Sequence, residues 1–256
     1  MNKSAAIVIS THRSGFNFLE NLLNSFQGYS EYSIIIVINE FHRSDLPVVK
    51  VICDKFRELP ITLMTLRTNS FEFGALYTAY RKTSYQELLL LSHSCEILDV
   101  GLFNILFEVN AGRSIAFAIG GTYRQYWQAH LGKYRRNILD QIQMLNYLPL
   151  NMNEAIHLSE NKFTRKYHGL ELNPLILFPE MADTEVFEEK FGKVRMKITS
   201  RYLLKYKSHW EMKQVNEVMQ GNKKLHLGSM LGRKNICRSL NLWLELGVPR
   251  KLETKS

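Results

Sequence analysis

The residues best placed to do chemistry stand where apolar runs stop. Ala5 to Ser10 (AAIVIS) gives way to Thr11-His12-Arg13-Ser14-Gly15, and Tyr32 to Ile38 (YSIIIVI) stops at Asn39-Glu40. Four consecutive leucines, Leu88 to Leu91, are followed at once by Ser92, His93, Ser94, Cys95 and Glu96. Short unbroken apolar runs suit strands buried on both faces of a parallel sheet. In open α/β sheets, ligands bind just outside the carboxyl ends of the strands. Three such ends on one edge would gather hydroxyls, an amide, an imidazole and carboxylates, all able to hold a polar ligand. The same residues also read as a helix-entry turn at Thr11, a left-handed loop position at Asn39 and a plain polar loop after Leu91.

The elements that must position these ends alternate in type. After Gly15, Phe18, Leu19, Leu22, Leu23 and Phe26 recur at helical spacing. Val48 to Leu59 is weakly helical, Ile61 to Leu66 is a third strand, and a helix opens at Gly74 to Tyr80. Strand and helix alternate up to Leu88–Leu91, which implies right-handed crossovers and a doubly wound, mostly parallel α/β sheet flanked by helices. Farther on, the pattern predicts a helix over Leu102–Val109 and a strand over Ser114–Ile119. Tyr123–Tyr147, aromatic and basic, reads as largely helical, and Leu175–Phe178 as a late strand. Asp183-Thr184 would cap a helix from Glu185 to about Phe191.

Composition limits the alternatives. With 256 residues, 45% apolar and 22% charged, the chain is globular rather than disordered. No apolar run approaches the roughly 18 to 20 residues that span a bilayer, and the apolar start, Ala5 to Ile9, is too short for a signal peptide. Cys53, Cys95 and Cys237 form no CxxC pair, which argues against a zinc site. Their odd number fits a reducing, cytoplasmic setting. The net charge is +9, and from Arg201 onward 12 Lys or Arg face 4 Glu. A basic block of this kind predicts an anionic partner. We expect residues 1–210 to form the α/β domain and residues 211–256 a basic helical extension.

In their order and spacing these segments resemble the family 2-like glycosyltransferases of the GT-A fold, of the bacterial surface-polysaccharide type. The first strand with STHRSGFNFLENLLNSF is similar to that family's opening strand, turn and helix. IIIVINE is similar to its second strand end, and NSFEFGALYTAYRKTSYQELLLLSHS to its Gly-containing helix and metal-motif strand. FEEKFGKVRM through RYLLKYKSHW is similar to later parts of bacterial relatives, so the resemblance spans residues 5 to 210.

The resemblance implies transfer of a sugar from a nucleotide-diphosphate sugar to a hydroxyl of a glycan or lipid-linked glycan acceptor, in cell-surface polysaccharide synthesis. Thr11 and Arg13 would meet the donor's nucleotide and phosphates. Asn39 would meet the base, where its amide both donates and accepts. Glu72 would lie near the ribose, and Ser94 also falls in the donor site. The family carries an Asp-x-Asp motif for Mn²⁺ or Mg²⁺ after the fourth strand, and this chain does not. His93, Glu96 and His209 would then be the metal ligands. Without a metal, Arg13, Lys205 or Lys207 would stabilise the departing diphosphate. Asp183 is the implied catalytic base, in competition with its capping role. Tyr126, Trp127 and His130 would offer a sugar platform or core aromatics.

Two other classes fit parts of the chain. HRSG before a helix suits a phosphate-binding transferase such as a sulfotransferase, though GxxxxGK[ST] is missing. The missing Asp pair suits a non-catalytic nucleotide-sugar or glycan-binding protein on a degenerate GT-A fold. No nucleic-acid partner is expected, since the basic tail carries no recognised motif. In Ser229–Gly247, Ile236, Leu240, Trp243, Leu244 and Leu246 share one helical side opposite Lys234, Arg238, Asn241 and Glu245. That pattern predicts a helix lying on an anionic membrane at the cytoplasmic inner face, or one packed on the domain.

Overall fold

A computed structural model describes residues 4–26, 29, 31–116, 119–120, 126–127, 132–151, 154–171, 175–176, 197–199 and 203–206. The chain opens with β1 (Ala5–Thr11), a 3-10 turn at Arg13–Gly15, and α1 (Phe16–Asn24). β2 (Ser33–Ile38), α2 (Asp45–Asp54), β3 (Ile61–Thr65), α3 (Phe71–Lys82) and β4 (Glu87–Ser92) complete the alternation. A short strand β5 (Cys95–Ile97) follows, then α4 (Gly101–Asn104), which runs on into a π-helical turn at Ile105–Val109. The later elements are β6 (Ile115–Ala116), β7 (Ile119–Gly120), β8 (Tyr126–Trp127), β9 (Gly132–Arg135) and α5 (Arg136–Leu139). A π-helical stretch, Ala155–Phe163, leads into α6 (Thr164–Leu170). β10 (Leu175–Ile176), β11 (Lys197–Thr199) and β12 (Leu203–Tyr206) close the described chain.

Seven strands form the main sheet in the order β10-β6-β9-β4-β1-β2-β3. The pairs β1–β2, β1–β4, β2–β3 and β6–β10 are parallel, while β9 runs antiparallel between β4 and β6. The expected doubly wound, mostly parallel sheet flanked by helices is therefore present. β11, β12 and β5 make a small antiparallel sheet beside it.

The apolar runs are continuous because both sheet faces are covered. Ile7, Ile9, Ile34, Ile36, Leu89 and Leu91 pack with Leu19, Leu22, Leu23, Val49 and Phe103 on one face. Ala6, Val8, Ile35, Val37, Leu88 and Leu90 pack with Leu76, Ala79, Phe163 and Tyr167 on the other. Successive strand residues point to opposite faces, so each strand feeds both cores. This burial is the main force holding the strand ends in register.

Three expectations need correction. Within Tyr123–Tyr147, the described part holds β8, β9, the single turn α5 and a 3-10 turn at Met144–Tyr147, not one long helix. The strand expected over Ser114–Ile119 is divided between β6 and β7, which belong to different sheets. The helix expected over Leu102–Val109 changes from α to π geometry at Ile105. The expected helix at 185–191, the caps Asp183 and Thr184, and the whole extension 211–256 lie outside the described residues.

Candidate functional site at the carboxyl edge

The ends of β2 and β4 are tied to the end of β1 by backbone bonds. Asn39 N–H donates to Thr11 O at 2.8 Å, and His93 N–H donates to Ser10 O at 2.9 Å. Ser10 pairs with Ser92 and Thr11 with Ile38 in the sheet register. Thr11, Asn39, Ser94 and His93 thus come together at one edge. Asn39 Nδ2 donates to Ser10 Oγ at 3.0 Å. Its Oδ1 and the Thr11 Oγ1 are buried and have no hydrogen-bond partner. Two such orphans are costly, about 1–3 kcal/mol each in a sealed interior. One belongs to the last residue of β1 and the other to the residue after β2, at the edge where open α/β sheets bind ligands.

The backbone around Asn39 is also unusual. Glu40 has φ 49° and Phe71 has φ 51°, both in the left-handed region. For a bulky residue such as Phe71 this is a true outlier, and strain of this kind gathers at functional sites. The two residues bracket the point where α3 meets β2. There Gly74 lets the helix approach: a Cβ on it would stand 2.5 Å from Ser70 Cβ, 2.8 Å from Leu66 Cδ2 and 3.4 Å from Asn39 Oδ1. Glu72 lies in the first turn of this helix and is half-buried.

The turn after β4 is neutral and hydroxylic. Ser92 and Ser94 are buried, with their Oγ atoms 3.0 Å apart. His93 turns toward the β1–α1 connection: its Nδ1–H donates to Ser10 O at 3.1 Å. A Cβ on Gly15 would fall 2.5 Å from the imidazole carbon and from Nε2, so only glycine fits beneath this ring. His12 meets His93 edge-on, with ring centroids 4.7 Å apart, and Ser14 Oγ lies 2.8 Å from His12 Nδ1.

Arg13 is engaged elsewhere. Its Nε donates to Asp45 Oδ1 and its Nη2 to Ser44 Oγ, both at 2.7 Å, clasping the start of α2. Asp45 Oδ2 accepts from the His42 N–H at 2.8 Å. Burial alone would push the Asp45 carboxyl up. The His42 amide and the Arg13 guanidinium outweigh it and hold the carboxyl below its ordinary value.

Of the expected metal ligands, Glu96 is on β5, where its backbone pairs with Leu204, and His93 faces the β1–α1 turn. His209, like Asp183, lies outside the described residues. Among the described residues no three His, Cys, Asp or Glu side chains come together as a metal-holding set. The donors at the centre of the edge are two neutral serines bonded to each other, which is poor chemistry for a hard divalent cation. The described residues therefore do not fit a resident metal.

Sequence reasoning passed over His12, Ser10 and Asp45. His12 lies between Thr11 and Arg13, so its position next to two candidates was the available signal. Nothing local reveals that Ser10 would orient Asn39 from the neighbouring strand.

A sheet of this order with helices on both faces defines a GT-A-like, Rossmann-type architecture. Solved structures agree. The mannosyltransferase PcManGT from Pyrobaculum calidifontis, in complex with GDP-Man and Mn²⁺, is 11% identical with a TM-score of 0.52 over 68% of this chain and 54% of that one. TarS 1–349 from S. aureus, in complex with UDP, is 14% identical with a TM-score of 0.52 over 98% and 76%. A putative glucose-1-phosphate thymidylyltransferase from Bacillus anthracis is 8% identical with a TM-score of 0.52 over 87% and 97%. The chain thus spans about half the length of PcManGT, and 43% of the longer TarS structure. At such identities the likeness is one of fold. No family model and no curated protein matches the sequence.

Proposed function

We propose that this protein is a glycosyltransferase that moves a sugar from a nucleotide-diphosphate donor to a hydroxyl acceptor. The observation that carries the reading is the pair of buried, unpartnered oxygens at adjacent strand ends, Thr11 Oγ1 and Asn39 Oδ1, the latter facing Gly74. Asn39 Oδ1 accepts an N–H from the edge of a base, while Thr11 Oγ1 bonds the sugar or phosphate of the nucleotide. Solved neighbours of the same fold that hold GDP-Man or UDP support a nucleotide-sugar donor over the sulfotransferase alternative.

In the reaction, an acceptor oxygen bonds to the anomeric carbon as the bond to the diphosphate oxygen breaks. The bonding pair leaves with the diphosphate, and the acceptor proton passes to a carboxylate. Asp183 is the candidate base, Glu72 and Ser94 complete the donor site, and Arg13 positions the β1–α1 turn through Asp45. The acceptor is a glycan or lipid-linked glycan. Residues 211–256 hold the enzyme at an anionic membrane surface on the cytoplasmic face. Sedimentation of the full chain with anionic vesicles at low salt checks this placement, and a chain that stays in the supernatant refutes it.

The test of function is a panel of nucleoside diphosphates and their sugars, read first by thermal shift. One diphosphate should stabilise the protein selectively, and Asn39→Ala should lose that response while keeping its own melting temperature within a few degrees. Addition of an acceptor should release nucleoside diphosphate. Release of pyrophosphate would point to a nucleotidyltransferase, and binding without release to a non-catalytic relic.

A further inference from the structure

We infer that β3 is a homodimerisation edge: two copies of this chain join their main sheets through antiparallel β3–β3 pairing centred on Leu63. β3 is the last strand of the seven-stranded sheet, and among the described residues no strand pairs with its outer side. The strand at the opposite end, β10, has two residues. β3 has five, Ile61-Thr62-Leu63-Met64-Thr65, paired with β2 in unbroken register. Exposed edges are commonly protected by a charge, a proline or a bulge. None stands within β3, and all five of its residues are half-buried or exposed.

What the edge presents follows from the hydrogen bonds on its inner side. Ile34 N–H donates to Pro60 O at 3.0 Å, and Leu66 N–H donates to Ile38 O at 2.9 Å. Along a paired strand, successive residues direct their backbone groups to opposite neighbours. Thr62 and Met64 therefore serve β2, while Ile61, Leu63 and Thr65 turn theirs outward. The Ile61 N–H is taken by Leu59 O at 2.8 Å, which leaves the Ile61 carbonyl and both groups of Leu63 and Thr65. That set complements itself. On a two-fold axis at Leu63, the two leucines exchange N–H···O bonds in both directions. Each Thr65 N–H then donates to the Ile61 carbonyl of the other copy. The charges agree with the same axis: exposed Glu58 precedes β3 and exposed Arg67 follows it, so Glu58 of one copy comes to the end where Arg67 of the other lies. A foreign strand needs a separately matched edge, whereas a second copy supplies this one by symmetry. The antiparallel arrangement also sends the two carboxyl edges to opposite ends of the joined sheet, so pairing leaves both sites uncovered.

The test is sedimentation velocity of the full chain from about 1 to about 100 µM, a span that brackets a weak symmetric contact. A reversible monomer–dimer equilibrium is expected, with the Leu63 and Thr65 amides growing more protected from hydrogen exchange as concentration rises. Thr65→Pro removes an outward N–H and no bond to β2. It should raise the dimer dissociation constant by at least about tenfold and keep the melting temperature close to that of wild type. Should Thr65→Pro fold poorly, the charges decide. Arg67→Glu should weaken the dimer, and Glu58→Arg combined with Arg67→Glu should restore it. A full chain that stays monomeric throughout overturns the inference, whatever then covers the edge. So does a dimer that no folded single variant of this set weakens, because it must be joined by another surface.

Discussion

Asp45 shows how one side chain can serve the site from outside it. It receives the His42 amide and the Arg13 guanidinium, so it anchors both the start of α2 and the turn that carries His12. Its carboxyl is held below the ordinary carboxylate value by the His42 amide and the Arg13 guanidinium, so the folded state favours the charged form. The resulting stability is present above the unfolded value and is lost as pH falls through the lower folded one. Asp45→Asn should therefore lower the melting temperature near neutral pH, by about 1–2 kcal/mol in stability. The difference from wild type should shrink below about pH 4. A constant difference down to the acid limit would show that the carboxylate's charge is not what matters.

At the scale of elements, α3 comes up against the site through Gly74. The nearest atoms around a Cβ there belong to Ser70, Leu66 and Asn39. Gly74→Ala should push α3 outward, cost about 1–3 kcal/mol from overpacking, and weaken nucleotide binding as well. Thermal denaturation and titration of the same sample separate the two effects; unchanged binding would mean that α3 does not line the site. Elements with plain signals were legible beforehand. β1, β2 and β4 are apolar runs with both faces buried, and α1 has five apolar residues at helical spacing. β9 was not legible, because its sequence is GKYR. Lys133 is fully buried there, with Nζ donating to Glu87 Oε1, Leu106 O and Asn110 O. A charge satisfied by three acceptors from distant segments leaves no local trace. The site was legible to the same degree: the three strand ends could be read, but not the cross-strand bonds that make Ser10 orient Asn39 and His93 support His12.

Across the whole molecule, the order of the strands in the sheet departs from their order of synthesis. β3, β2, β1 and β4 are adjacent, and all are complete by Ser92. The next partner of β4 is β9, at Gly132–Arg135. Until those residues emerge and dock, a six-residue strand that is wholly buried in the finished protein presents an unpaired edge. Such an edge is a template for pairing with another chain. The antiparallel insertion of β9 is therefore also a protective closure, and Lys133 is the fastener that brings its charge to Glu87 at the start of β4. A chain ending at Asn110 should aggregate beyond a dimer in light scattering where the full chain does not, whereas a dispersed, folded fragment would show that the open edge is harmless. Biogenesis of this protein then depends on how long the ribosome takes to supply the residues between β4 and β9, an interval in which a chaperone has a strand edge to guard.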